Sequence, residues 1–251
     1  MAAIGGVFNM DGGGCQVDSL MRMSRAMLRR GGDTREAAVF EGGGLLWSDS
    51  REAGVVAERG DRLLICDGRI FCGGDGAGAD FFGESDASLF LDILGRPGAP
   101  VFEGLSGEYS VAMYDKRKKE LTLLRDGRGG RPLYYLRRGS SLCFASEIKG
   151  VSAFLDSPLT VKRDRLGEHI LSRGGQYRGV ELFCDMSEVR AGGGCVVSRL
   201  GIAPFEYRAC QNSFEQKEES GRFSEGLACP EGEKLFRMLC EILYEIGRAH
   251  V

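Results

Sequence analysis

A chain of 251 residues is long enough to bury a full core, as one large domain or as one domain with part of another. Its 33 basic and 36 acidic residues leave a formal charge of −3, which creates no field to draw nucleic acid or a membrane surface. No apolar run reaches the length of a membrane span, and residues 1–9 lack the basic head and long apolar centre of a signal peptide. The nine cysteines are scattered and never spaced as CxxC, so a cytoplasmic protein with free thiols and no bound metal is expected. With His169 and His250 as the only histidines, a histidine-based site is not expected either.

In chain order, residues 1–8 read as a buried strand, with Ile4, Val7 and Phe8 apolar and Gly5-Gly6 allowing close backbone approach. A turn over 9–14 follows. Val17, Leu20, Met21, Ser24, Met27 and Leu28 recur at helical spacing and predict an amphipathic helix over 18–29, closed by Arg29-Arg30-Gly31-Gly32-Asp33. Strands are predicted over 39–47 and 55–57, and over 63–67 and 69–71 on either side of Gly68. After a glycine-rich loop at 73–78, residues 85–94 fit a helix with Leu89, Phe90 and Ile93 inward. The run Lys116-Arg117-Lys118-Lys119 reads as a solvated hairpin tip.

Residues 121–124 and 133–136 are short apolar runs of strand character. Between them lies Asp126-Gly127-Arg128-Gly129-Gly130-Arg131-Pro132, whose three glycines and proline forbid a helix. A turn at 139–141, a strand over 142–145 and a short helix opened by Ser146-Glu147 follow. Beyond these come a helix over 164–172 and strands over 180–182 and 195–198. Residues 211–232 are polar and read as a linker. Leu235, Phe236, Met238, Leu239, Ile242, Leu243 and Ile246 then lie on one helical face with nothing left to pack against.

The wording of the central stretch is more specific than its pattern. Arg125-Asp126, Gly129, Arg131-Pro132-Leu133-Tyr134-Tyr135 and Phe144-Ala145-Ser146-Glu147-Ile148-Lys149 resemble the RD…G…PLYY…FASEIKAL signature of asparagine synthetases. More widely, they are similar to class II glutamine amidotransferase domains. Residues 105–115, LSGEYSVAMYD, resemble the LxGxFAFALxD strand of that family, and Glu188-Val189-Arg190-Ala191-Gly192 and Phe205-Glu206-Tyr207-Arg208 resemble the end of its first domain. The resemblance implies an α+β fold, the four-layer αββα sandwich of the N-terminal nucleophile hydrolases. It also implies a domain over 1–210, a linker over 211–232 and, over 233–251, the first helix of a synthetase (ATP-pyrophosphatase) domain. The SGGxDSS loop of that domain, which would bring ATP and Mg, does not occur here, so no cofactor is expected in this chain. Residues 245–251 resemble translated sequencing adapter, and a truncated reading frame is expected.

The same resemblance points to the chemistry. Class II amidotransferases use an N-terminal cysteine whose own α-amine serves as base for the thiol that attacks the glutamine amide. Where the family reads MCGIxGVF, this chain reads MAAIGGVF, and the methyl of Ala2 is no nucleophile. Cys15, the nearest cysteine, lies across a turn in a region the family does not use for catalysis. Removing such a nucleophile costs on the order of 10⁶ in rate. The oxyanion hole of the family is built from the Asn side chain and Gly N–H of NGEIYN; here the segment is Asp67-Gly68-Arg69-Ile70-Phe71-Cys72. Gly68 still offers its N–H, but Asp67 donates nothing and repels an oxyanion, a loss worth about 10²–10³. The pair also has a plain reading as a hairpin turn.

For substrate capture, Asp86 matches the family's ligand for the glutamine amine, with a helix-capping reading beside Ser85 equally available. Arg51 is the only arginine where the family's carboxylate clamp should fall, and otherwise reads as a solvated surface residue. Arg125, Asp126 and Arg131 suit either contact with a synthetase domain or an internal ion pair holding their turn. Taken together, these readings describe the amidotransferase-like domain of an asparagine synthetase-like, ATP-dependent amide-forming enzyme that cannot hydrolyse glutamine. Asparagine synthesis from free ammonia is one form of it. The opening residues 2–12 also resemble the cysteine-free β-lactam synthetases and lasso-peptide cyclases, and a free-standing, non-enzymatic binding module is the alternative of a different class. The expected partners are a C-terminal synthetase domain and a second copy in a homodimer, with no nucleic acid and no membrane.

Overall fold

Two runs of antiparallel strands build the described structure. The computed structural model describes residues 2–32, 34–49, 55–72, 85–95, 106–171 and 182–207. The linker over 211–232, the helix over 233–251 and Arg51 lie outside these residues. The chain divides into two units, one formed by Met1–Thr160 with Phe183–Cys210 and a second whose described residues are 161–171 and 182.

In the first unit the elements run β1 (Ala3–Asn9), α1 (Val17–Ala26), β2 (Thr34–Phe40), β3 (Gly43–Asp49), β4 (Val56–Arg59), β5 (Arg62–Cys72) and α2 (Asp86–Gly95). They continue with β6 (Ser106–Asp115), β7 (Glu120–Arg125), β8 (Tyr134–Arg138), β9 (Ser141–Ala145) and α3 (Ile148–Ser152). The second unit holds α4 (Arg163–Leu171), where the Lys162 N–H donates to the Leu182 carbonyl at 2.7 Å. The first unit resumes with β10 (Met186–Glu188), β11 (Gly193–Ser198) and β12 (Gly201–Glu206). One six-stranded sheet has the order β10-β8-β9-β1-β3-β2 and the other β12-β11-β7-β6-β5-β4.

Side-chain alternation along each strand decides the layers. Ala2, Ile4 and Phe8 at β1, with Leu142 and Phe144 of β9, share one buried cluster with Leu63 and Ile65 of β5, Ala112 and Tyr114 of β6, and Leu121 and Leu123 of β7. These are the facing sides of the two sheets. The residues between them on the second sheet, Leu64, Cys66, Tyr109, Val111, Met113 and Leu124, form a separate core with Ala87, Phe90, Leu91 and Ile93 of α2. On the far side of the first sheet lie α1 and α3, with Cys143 Sγ of β9 3.9 Å from Met23 Sδ of α1. The result is helix, sheet, sheet, helix, the four-layer α+β sandwich. The Gly5-Gly6 pair has the close approach expected of it: a Cβ on Gly6 would stand 2.5 Å from the Gly44 carbonyl oxygen and 2.7 Å from the Phe144 ring.

Several boundaries differ from the sequence reading, each for a local reason. The stretch 39–47 is not one strand but the hairpin β2–β3, turned at Gly42 with φ +86°. Strand β5 runs unbroken through Gly68, because its pairing with β6 continues on both sides of that residue. Strands β10 and β12 had no apolar alternation to announce them. The first is three residues long, and the second is an edge strand that carries Pro204.

Phe144 is fully buried between the sheets and packs over the Gly6 backbone. Replacing it with alanine is expected to lower unfolding free energy by about 3–5 kcal/mol, measured as a shift of the urea midpoint at unchanged slope.

Candidate functional site

Along the inner face of β5 the sequence Leu63, Ile65, Asp67 replaces an apolar residue by a carboxylate that is only 1% exposed. A buried carboxylate needs donors, and this one finds them on two other elements. The backbone N–H of Ala2, just ahead of β1 on the opposite sheet, donates to Asp67 Oδ1 at 3.0 Å. Arg30, on the segment that follows α1, donates from Nη2 to Asp67 Oδ2 at 2.6 Å and from Nε to the Ala2 carbonyl at 3.1 Å. The Arg30 side chain is itself 12% exposed, so the ion pair sits largely out of water. Three residues from three segments thus close a ring at the mouth of the inter-sheet space. Ser146, at the end of β9, holds β1 from the other side: its N–H donates to the Ile4 carbonyl at 2.9 Å and its Oγ accepts the Ile4 N–H at 3.1 Å.

In this arrangement the Asp67 carboxylate is paired with the Arg30 guanidinium. The arrangement also replaces the hairpin reading of Asp67-Gly68, since both lie within a paired strand. Gly68 has φ +140°, and a Cβ there would stand 1.9 Å from the Glu108 carbonyl oxygen. The strand crossing therefore requires glycine at this position whatever its N–H does. Asp86 is the first residue of α2, but Ser85 is the cap: its Oγ accepts the Ser88 N–H at 3.2 Å. Asp86 instead accepts the Ile70 N–H at 3.1 Å, tying α2 to β5 three residues beyond Asp67.

The loop after β7 is organised by Asp126. Its Oδ1 accepts the N–H groups of Arg128 and Gly130 at 2.9 and 3.1 Å, and its Oδ2 those of Tyr109 and Arg131 at 3.2 Å each. Arg125 donates from Nη1 to Glu188 Oε1 at 2.6 Å and to the Val189 carbonyl at 3.0 Å, and from Nη2 to the Gly129 carbonyl at 2.6 Å. Arg125 thus forms an internal ion pair with Glu188, and Asp126 holds the turn through backbone N–H groups. Their loop carries the Arg131 guanidinium to within 3.8 Å of both Asp67 Oδ1 and Glu108 Oε2. Tyr207, past β12, closes the back of the loop by donating its hydroxyl to the Arg125 carbonyl.

A cleft of about 900 Å³ opens beside Arg30, lined among others by Pro132, Tyr134, Ile148, Pro158 and Leu159. Among the described residues no group of three His, Cys, Asp or Glu side chains is placed to hold a metal ion, and no helix is long and apolar enough to cross a membrane. Of the described cysteines, Cys195 is buried against β7, and desolvation pushes its thiol up to about 12. Burial likewise raises the Cys15 thiol, so neither is a ready nucleophile. Sequence reasoning placed Arg30 at the end of a helix and gave it no site role. It is one of 33 basic residues, and nothing local in its segment announces a partner 37 positions away.

Two antiparallel sheets between helices, with an N-terminal strand inside the first sheet and its leading residue at the sheet mouth, define the N-terminal nucleophile hydrolase class. The solved structure of glutamine phosphoribosylpyrophosphate amidotransferase from Bacillus subtilis shares this fold, with a TM-score of 0.54 over 82% of this chain and 49% of that one, at 11% identity. The glutamine amidotransferase domain family matches residues 1–208, and the chain belongs to it. Within that family it is asparagine synthetase-like. It is 28% identical over 130 residues to asparagine synthetase [glutamine-hydrolyzing] 3 of Bacillus subtilis, covering 52% of this chain and 21% of that protein. It is 45% identical over 72 residues to putative asparagine synthetase [glutamine-hydrolyzing] 1 of Methanocaldococcus jannaschii, covering 29% and 13%. The matches thus span about a fifth or less of these relatives' own lengths.

Asp67→Asn leaves the Arg30 charge without its buried partner and is expected to cost about 3–5 kcal/mol, read by urea unfolding. Gly68→Ala forces a strained φ worth about 1–3 kcal/mol and adds the collision with Glu108. Its midpoint in the same titration is therefore expected to fall even though no polar group is lost.

Proposed function

We propose that this chain is the amidotransferase-like domain of an ATP-dependent amide-forming enzyme, and that the domain does not hydrolyse glutamine. The observation that carries this reading is the ring of Ala2, Asp67 and Arg30. The residue at the family's nucleophile position has a methyl side chain, so no thiol is there to attack an amide. The side chain at the family's oxyanion-donor position is a carboxylate engaged by Arg30 and by the Ala2 N–H. A carboxylate accepts hydrogen bonds and offers none to a developing oxyanion.

Under this reading the scaffold is retained for its surfaces and the amide bond is made by a synthetase domain that binds ATP and Mg. The amine then comes from free ammonia or from the substrate itself, as in β-lactam synthetases and lasso-peptide cyclases, whose lack of the cysteine matches Ala2. A homodimer and a cytoplasmic setting accompany this proposal.

The purified full chain, incubated with glutamine, is expected to release no glutamate above the buffer rate in a coupled dehydrogenase assay. Release that scales with protein and disappears in a folded Asp67→Ala variant would overturn the loss of glutaminase chemistry. Sequencing source DNA through and past codon 251 tests the other half: an SGGxDSS loop supports the amide-forming enzyme, and an undisturbed stop codon favours a free-standing binding module.

A further inference from the structure

Each sheet has two edge strands, and a free edge is a row of unpaired N–H and C=O groups on which another strand can form. Three of the four edge strands are blunted. β10 has three residues, β4 has four, and β12 carries Pro204. The fourth, β2, runs seven residues without a proline, and among the described residues it pairs with β3 alone. Its Arg35, Glu36, Ala37 and Val39 are exposed, Val39 by 52%.

Which backbone groups face outward follows from the neighbouring strands. A Cβ on Gly6 would stand 2.5 Å from the Gly44 carbonyl oxygen, so Gly44 turns its peptide groups toward β1. A Cβ on Gly44 would stand 3.2 Å from the Ala38 carbonyl oxygen, so Ala38 turns its own toward β3. Antiparallel strands alternate this direction from residue to residue, which leaves Arg35, Ala37 and Val39 presenting N–H and C=O to the open side. Their side chains share the face opposite to Ala38 and Phe40, which pack against the inter-sheet core. A further strand can therefore add to β2 without disturbing its pairing with β3.

We propose that β2 is a dimer interface, where it pairs antiparallel with β2 of a second copy about a two-fold axis at Ala38 and joins two first sheets into one. Such an axis stands perpendicular to the sheet and maps each face onto itself, so it must pass at a residue rather than between two. At Glu36 it would oppose two carboxylates. At Ala37 it would set Arg35 against Val39 of the partner subunit, a charge against an apolar side chain. At Ala38 it sets Ala37 against Val39 of the partner subunit, two residues that both offer backbone groups outward. The same register sets Arg35 against Glu41 of the partner subunit, an ion pair made twice by symmetry. Glu41 has a side chain 68% exposed, and Lys119 engages it through Oε1. Charge complementarity thus selects a second copy as the occupant, and its register with it. The inference gives the proposed homodimer a surface and uses no glutamine chemistry, so either reading can fail without the other.

The test is light scattering of the full chain over a range of concentrations, expected to give twice the mass of a single chain and to fall to one on dilution. Ala37→Pro removes an outward N–H and spares the pairing with β3. It should raise the dimer dissociation constant by about tenfold or more, as loss of a symmetric pair of hydrogen bonds does. Val39→Lys, which puts a charge on the edge and leaves the backbone free, should also weaken the dimer. Arg35→Glu and Glu41→Arg should each weaken it, and the double reversal should restore it, which damage to either subunit's fold would not do. Circular dichroism melts establish that each variant is folded. Deuterium uptake by a peptide spanning 35–41 should fall as protein concentration rises. A monomer at every concentration would overturn the proposal, as would a dimer indifferent to Ala37→Pro and Val39→Lys. So would a double reversal no tighter than its single variants, or uptake over 35–41 that ignores concentration, the sign of an edge covered within its own chain.

Discussion

A carboxylate sealed between two sheets must be answered by a cation or by donors, and the rest of the site follows from how Asp67 is answered. Its two oxygens go to different elements: one to the N–H of Ala2 on the opposite sheet, the other to Arg30 beyond α1. The contact therefore joins the leading end of β1, the exit of α1 and the middle of β5. A buried pair of this kind adds little stability over a well-packed apolar pair, because both partners lose their hydration. Its consequence is geometric. With Arg30 also bound to the Ala2 carbonyl, the leading end of the first strand is registered against the second sheet.

The motif that identifies the family most clearly is structural in this chain. Asp126 gathers four backbone N–H groups, three from its own loop and one from Tyr109 of β6, and Arg125 bridges the loop to β10 and to the residue after it. A glycine-rich turn has few side chains of its own to hold it, so one carboxylate and one guanidinium at its start define its path. That path places Arg131 over the β5–β6 pair. The scaffold signature and the position of Arg131 are linked through one loop.

Three positions bear on whether glutamine chemistry persists, and they differ in kind. Ala2 is a matter of composition: no fold turns a methyl into a nucleophile. Asp67 is a matter of environment, since its carboxylate is paired with Arg30 and accepts the Ala2 N–H, partners that composition does not announce. Gly68 is a matter of backbone. Its φ and its closeness to Glu108 require glycine, so its presence says nothing by itself about an oxyanion. A residue at a family site position thus carries functional meaning only after its structural duty has been subtracted.

Much of the architecture was legible in the chain. Alternation in β5, β6 and β7, the spacing of Leu20 and Met27 in α1, the Gly5-Gly6 pair and the turn at 126–132 are local patterns, and local sterics and burial enforce them. The short strand β10 and the edge strand β12 were not legible, because neither buries a full alternating face. The methyl at position 2 was settled by the sequence alone. The partner of Asp67 was decided only by tertiary structure, since Arg30 lies 37 residues away and becomes its neighbour only when α1 packs on the first sheet and the two sheets face each other. The same holds for the row of Asp67, Ser110 and Arg125, three residues from three strands whose common face is set by register, a property of pairing that no single strand contains.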